Sequence, residues 1–390
     1  MGTLISKSGA VSTILAGAAS WLPHHGSGHL IPLTIAFPAL AMRQSSRVGA
    51  TAVAVVYYGV ASFPVAQVSS GYFGQGSPAV AILLWTAATT ILAVPWVILW
   101  HHDNKQILWR LPAALLLVAL PPIGIVGWAS PLPAGGALFP GLGWSGVLLT
   151  ILACIAIGAR SWKAAAAIAL ASLCANLSYT GPRKLESSWV GINTDFGGAA
   201  TVNDPHLEFS IAETVQKAAV HQNGRVVVFP ELLIRRWGEG TDLFWQPTFD
   251  EMRSRGIAVL IGAASPVAGT TDEYRNAVII RGASEPTQFD QRIPVPLAMW
   301  KPWGGKEGVR LNLFGPPTVR IAGERAAILI CYEQLLPWSY LSSLWQRPTV
   351  LVGMSNAYWT KATVVPRSQE ATLKAWGRLL GLPVISATNH

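Results

Sequence analysis

Apolar runs cross the first half of the chain at 10–22, 28–42, 48–67, 79–100, 111–129, 143–159 and 162–178, with short connections between them. A hydrocarbon core of ~30 Å takes about 20 consecutive apolar residues as a helix. Several of the runs reach that length. The first two are shorter and predict a tilted or partly re-entrant pair. Soluble core helices rarely follow one another as so many uncharged runs, so the pattern predicts about seven membrane segments within residues 1–182.

From "SSWVGINTDF" onward the period changes. Short β-branched runs at 189–194, 225–229, 257–262, 277–281, 326–330, 349–352 and 384–387 predict strands. Helical patterns at 207–222, 249–255, 337–345 and 366–380 lie between several of them. Strands that are apolar on both faces and separated by helices indicate a layered α/β sheet. Two domains are expected, 1–182 and 183–390, and Gly181-Pro182 followed by Arg183-Lys184 marks the exit from the membrane.

Charge sharpens this division and suggests an orientation. Residues 1–182 hold one acid, Asp103, and seven bases: Lys7, Arg43, Arg47, Lys105, Arg110, Arg160 and Lys163. With Lys7 inside, all of these bases fall at the N-terminus or on inside connections. The outside connections near 23–28, 68–78 and 130–142 contain no Lys or Arg, as the positive-inside rule requires. An odd number of crossings then delivers the second half to the outer side. In a bacterial chain this predicts a multi-pass inner-membrane protein with a periplasmic C-terminal domain. The pI near 9.7 is therefore topological loop charge and predicts no nucleic-acid face.

Of the three cysteines, Cys154 and Cys174 sit in apolar runs, where they fill space between helices. Cys331 alone belongs to the second half, so no disulfide framework is expected. His24, His25 and His29 fall on the opposite predicted membrane side from His101 and His102, without carboxylate or thiol companions, and read as interfacial rather than metal-binding. "WKPWGGKEG", 300–308, has no following Ser or Thr and reads as a mobile loop, not a phosphate cradle.

Two apolar strands end on reactive groups: "RVVVFPELL" on Glu231 and "AAILICYEQ" on Cys331. Open α/β sheets gather their sites at such carboxyl ends. A thiol with an ordinary pKa near 8.5 needs a base or a positive environment to attack as thiolate. A carboxylate in a water-poor pocket supplies the base. Backbone N–H groups ahead of the predicted helix at Pro337 offer partners for an oxyanion.

"FPE" at 229–231, "CYE" at 331–333, "SNAYW" at 355–359 and the closing "ATN" at 387–389 together resemble the carbon–nitrogen hydrolase (nitrilase) superfamily. With the membrane half, the resemblance narrows to apolipoprotein N-acyltransferase-like proteins, and among these to proteins of plasmid conjugal transfer. It implies an N-terminal transmembrane helical bundle followed by an α-β-β-α sandwich. It implies Glu231 as base, Cys331 as nucleophile and Glu333 beside it, with Tyr332, Asn356, Trp359 and Gln291 as supporting or substrate-binding positions. No metal or cofactor is implied. The implied donor is a membrane phospholipid and the acceptor an amine or lipoprotein, with proteins of the conjugation apparatus as partners.

One element of the family pattern departs. The catalytic Lys of that superfamily lies ahead of a Val-Pro pair, and aligning "FDQRIPVPLAMWKPW" on Val295-Pro296 places Gln291 in the lysine slot and Met299 where a further Glu is expected. Arg292 swings into the site, or Lys301 enters from the next loop, or turnover is lost and the fold serves as a non-catalytic scaffold of the conjugation apparatus. A reporter active only outside the cytoplasm, fused after residue 182, tests the orientation. Signal is expected, and a reporter active only in the cytosol reverses it.

Overall fold

Each predicted apolar run becomes helical, but proline and chain length decide which helices can cross a bilayer. The computed structural model describes residues 7–25, 28–72, 78–198, 205–221, 224–270, 272–303 and 307–390. Residues 26–27, 73–77, 222–223 and 304–306 belong to the predicted connections near 23–28 and 68–78, the end of the predicted helix 207–222 and the predicted loop 300–308, and lie outside the described residues. The chain forms two compact units. One comprises residues 1–182 with 335–340 and 362–382, and the other 183–334 with 341–361 and 383–390.

The first unit contains α1 (Lys7–His25), a 3-10 helix Gly28–Ile35 running into α2 (Ala36–Met42), α3 (Arg47–Tyr72), α4 (Pro78–Leu99), α5 (Ile107–Ala119), α6 (Gly135–Leu138), α7 (Gly143–Gly158) and α8 (Trp162–Ser178). Among the described residues, 47–69 of α3 and all of α4 are long and apolar enough to span a membrane. At ~1.5 Å per residue their 23 and 22 residues exceed ~30 Å. Leu132–Leu138 and Gly143–Gly158 meet at a bend of 106° and count as one broken or re-entrant span at most, and 28–42, 107–119 and 162–178 are shorter apolar helices. Among the described residues two helices, or three with the bent pair, have the length and composition of a span, beside the about seven segments that the hydropathy pattern predicts. The run at 111–129 is interrupted. Leu120 turns extended ahead of Pro121-Pro122, because the residue before a proline is driven out of helical geometry.

Large apolar side chains point outward from this unit, including Leu83, Ile98, Leu170 and Leu177. Such a surface suits hydrocarbon better than water. Inside, Phe37 stacks on Tyr57 at 3.9 Å, Tyr57 Oη donates to the Ala129 carbonyl at 2.9 Å, and Trp96 Nε1 donates to Tyr58 Oη at 3.0 Å. A helix from the far end of the sequence, α12 (Val365–Leu380), completes the unit. It approaches α6 so closely that a Cβ on Gly136 would stand 2.0 Å from the Ala375 carbonyl oxygen.

The second unit holds two sheets. The six-stranded sheet runs β1 (Trp189–Gly191), β2 (Val226–Val228), β3 (Ala258–Pro266), β4 (Asp272–Gly282), β5 (Thr287–Asp290), with β6 (Glu307–Val309) also on β4. Its first three strands are parallel, β3–β4 and β4–β5 are antiparallel, and β6 is parallel to β4. The four-stranded sheet is β10 (Val384–Asn389), β9 (Val350–Asn356), β8 (Glu324–Ile330), β7 (Val319–Ile321), parallel except for the β7–β8 hairpin. The seven strands read from the sequence are all present. The short β5, β6 and β7 were not read.

Strand alternation distributes the side chains. Val226, Val228, Leu260, Ile280, Ile328, Ile330, Val350 and Val352 fill the space between the sheets. Val227, Val259, Ile261 and Ile279 face α9 (Pro205–His221) and α10 (Glu239–Ser254), where Val215, Trp245, Phe249 and Met252 cover them. This gives a layered α-β-β arrangement, with α11 (Pro337–Leu344) following β8. The sheets join at one edge: Thr194 N donates to the Thr388 carbonyl at 2.9 Å and His390 N returns to the Thr194 carbonyl at 2.8 Å. Ile328→Ala, at a fully buried inter-sheet position, is expected to cost about 2–5 kcal/mol. Leu243→Ala, on an exposed side chain, is expected to stay within ~0.5 kcal/mol. Unfolding of the detergent-solubilised chain measures both.

Candidate active site

Strand β2 stops at Val228 and the chain turns through Phe229-Pro230 to Glu231, with Leu232 in the left-handed region at φ 49°. β3 runs directly against this turn. A Cβ on Gly262 would lie 2.3 Å from the Pro230 carbonyl oxygen and 2.5 Å from Glu231 Cα, so only glycine lets the strand pass. The Gly262 N–H donates to the Pro230 carbonyl at 3.1 Å and holds the turn. In the other sheet, β8 ends at Ile330. Cys331 adopts φ 50° as it enters a 3-10 helix, Cys331–Leu335. A non-glycine residue in that conformation is uncommon and marks a constrained turn.

These two strand ends meet. Glu231 is 2 % exposed and Cys331 5 %, and the thiol is hydrogen-bonded to the Glu231 carboxylate. Glu231 Oε1 accepts from Asn276 Nδ2 at 2.6 Å, and its Oε2 accepts from the Asn356 backbone N–H at 2.9 Å. Burial pushes the Glu231 carboxyl from the ordinary 4.5 to about 7, against the opposing effect of these hydrogen bonds. Asn356 is fixed in turn. Its Oδ1 accepts from Asn389 Nδ2 at 2.9 Å, and Asn389 Oδ1 accepts from Thr194 Oγ1 at 2.9 Å and the Phe196 N–H at 2.8 Å. The "SNA" and "ATN" segments thus form one amide ladder under the carboxylate.

A second carboxylate follows the thiol closely. Glu333, fully buried, forms an ion pair from Oε1 to Arg292 Nε at 3.2 Å and accepts from the Arg292 N–H at 3.2 Å and the Ile330 N–H at 3.0 Å. Burial pushes Glu333 upward and the Arg292 guanidinium opposes it. Arg292 also donates from Nη1 to Ser342 Oγ at 2.8 Å, so its charge is committed to this buried pair.

The other expected residues separate into two groups. Gln291 lies inside the network: its Oε1 accepts from Asn276 Nδ2 at 3.0 Å and its Nε2 donates to the Ile330 carbonyl at 3.0 Å. Tyr332 is buried, and that burial raises its phenol. Lys301 is exposed and pairs with Glu307 at 3.8 Å. Trp359 is half-buried in the turn after β9. The sequence reading missed Asn276, Gly262 and Asn389's role in the ladder. An isolated glycine inside the strand "AVLIGAAS" was the available signal for a close backbone approach. Among the described residues, no group of three or more His, Cys, Asp or Glu could hold a metal.

The site is therefore a buried thiol and carboxylate at adjoining strand ends of a two-sheet α/β unit, framed by neutral amides. No family model matches the sequence. Solved structures similar to the chain include an amidase of Nesterenkonia from the nitrilase superfamily, at TM-score 0.36 and 12 % identity over 53 % of this chain and 79 % of that one. A carbon–nitrogen hydrolase from Helicobacter pylori is similar at TM-score 0.39 and 12 % identity, over 52 % and 73 %. In sequence, the chain is 31 % identical over 389 residues to a probable conjugal transfer protein TraB of Sinorhizobium fredii, covering 97 % of each. It is 33 % identical over 397 positions to the conjugal transfer protein TraB of Agrobacterium fabrum, covering 97 % of this chain and 91 % of that one. The chain belongs to the TraB family of conjugal transfer proteins.

Because the folded-state value of Glu231 lies above the ordinary one, the folded protein keeps a proton that the unfolded chain releases between pH 4.5 and about 7. Stability is lost as pH rises through that window. Glu231→Gln removes the titration, so the variant is expected to gain about 3 kcal/mol on wild type between pH 4 and pH 8. Chemical unfolding at both values measures it, and an equal difference at the two pH values would show a carboxyl that titrates normally.

Proposed function

We propose that the chain is a membrane-bound component of plasmid conjugal transfer whose second unit takes an acyl group onto Cys331 as a thioester and passes it to an amine. The observation that carries this reading is the buried hydrogen bond between the Cys331 thiol and a carboxylate pushed to about 7. A base is most useful when its pKa lies near the working pH. Glu231 takes the thiol proton as sulfur attacks the donor ester carbonyl. The C–O bond breaks, and the leaving alcohol takes the proton from Glu231. An amine then attacks the thioester, Glu231 accepts its proton, the C–S bond breaks, and the thiolate recovers that proton.

The apolar helices α3 and α4 support a phospholipid donor, because the bilayer that holds them concentrates it. The distribution of bases over the predicted connections supports an inner-membrane location with the second unit in the periplasm. Among the described residues Arg292 is tied to Glu333 and Lys301 paired to Glu307, which leaves backbone N–H groups of the turn after Cys331 to meet charge on the tetrahedral oxygen.

A second reading follows from Gln291. With a neutral amide where the superfamily pattern has lysine, the unit is a binding platform for the conjugation apparatus and the thiol does not turn over. Incubation with phospholipid followed by intact-mass measurement separates the two. An acyl adduct is expected on wild type and not on Cys331→Ala. No adduct, with conjugation frequency unchanged in Cys331→Ala at equal protein level, establishes the platform.

A further inference from the structure

The residues around Glu231 form a bridge that neither acyl transfer nor a bare platform requires in this form. Gln291 follows β5 and Asn276 lies in β4, both in the six-stranded sheet, whereas Ile330 closes β8 in the other sheet. The Gln291 N–H donates to the Asn276 carbonyl at 2.7 Å, so the two side chains leave the sheet together. Asn276 Nδ2 divides between Glu231 Oε1 at 2.6 Å and Gln291 Oε1 at 3.0 Å. Gln291 Nε2 continues to the Ile330 carbonyl at 3.0 Å, one residue before the thiol. A continuous chain of hydrogen bonds thus runs from the carboxylate, across the gap between the sheets, to the backbone that carries Cys331.

The orientation of Asn276 has a chemical reason. Turning its amide over would set Oδ1 against the carboxylate and against the Gln291 carbonyl oxygen, both acceptors. As it stands, Oδ1 is buried and accepts from no protein donor among the described residues, so the protein's own hydrogen bonds to this amide all run through Nδ2. What the arrangement secures is the direction of Nδ2.

We propose that Asn276 and Gln291 are positioning residues, a strut of two neutral amides that sets Glu231 against the Cys331 thiol from one sheet to the other. The proposal rests on reading Cys331 and Glu231 as the reacting pair. It gives Gln291 a task in the lysine slot: the strut fixes geometry without adding charge, so the carboxylate keeps the basicity that burial confers. The charged and titratable groups acting on Glu231 are Cys331 from the end of β8 and Glu333 from the following turn, the latter paired with Arg292 after β5.

The test uses the full chain in detergent and follows iodoacetamide alkylation of Cys331 against pH, with peptide mass mapping to separate it from Cys154 and Cys174. Asn276→Ala removes a donor that favours the ionised carboxyl. It should move the midpoint of the rate profile upward by about one unit, which is about tenfold in rate below the midpoint. Gln291→Leu, which releases the far end of the strut, should move it the same way by less. Melting temperature is recorded alongside. Profiles that superimpose on wild type while melting temperature falls would assign both residues to structure only. A wild-type Cys331 as inert as the fully buried Cys154 would overturn the strut as well. Alkylation needs no acyl donor, so a failure to form a phospholipid adduct leaves this result readable. An adduct with unmoved profiles would remove the strut and leave acyl transfer standing.

Discussion

A carboxylate held out of water, with no cation paired to it among the described residues, is the constraint around which the second unit is organised. An ionised carboxyl in a low-dielectric interior is tolerated only when paired, hydrogen-bonded or protonated. Glu231 draws on the last two. Its donors, the Asn276 amide and the Asn356 N–H, come from different sheets, so the sandwich must be assembled before the group is stabilised. Gly262, Asn389 and Thr194 serve the same end at one remove. They fix the turn that carries Glu231 and the ladder that carries Asn356.

The two carboxylates on either side of the thiol are sorted by their surroundings. Glu333 has a guanidinium against it and backbone donors on both oxygens, which offset part of the upward push that burial gives its carboxyl. Among the described residues Glu231 has neutral donors, and it is left able to exchange a proton near neutrality. Burial raises both carboxyls, and what separates their surroundings is the guanidinium beside Glu333. Here the assignment depends on where Arg292 is spent: a guanidinium aimed at Glu231 instead would hold it ionised and weaken it as a base.

Much of this was legible in the sequence because it depends on where apolar runs stop. Glu231 and Cys331 stand out as the residues on which two fully apolar strands end, and all seven β-branched runs became strands. The strands that escaped notice, β5, β6 and β7, are three or four residues long and include polar residues, as in Thr287–Asp290, so their period is too short to count. Asn276 escaped because "EYRNAVII" reads as a strand with a polar edge, and only the partner sheet turns that edge into a carboxylate's donor. The commitment of Arg292 to Glu333 crosses 41 residues and has no local signature. Hydropathy located the helices but not their lengths, because a window average does not register that the helical run at 111–129 ends at Leu120, ahead of Pro121-Pro122.

The position of α12 has a consequence for how the chain is made. Its Ala375 backbone lies in the notch left by Gly136, some 240 positions upstream, so the apolar unit of residues 1–182 lacks one of its own helices until synthesis has passed residue 380. Domains commonly mature from the N-terminus as synthesis proceeds. In this protein the helices made first wait for one made after most of the second unit, with only β10 still to follow, and a chain released before α12 would leave a vacancy in its helical half even with every upstream residue in place.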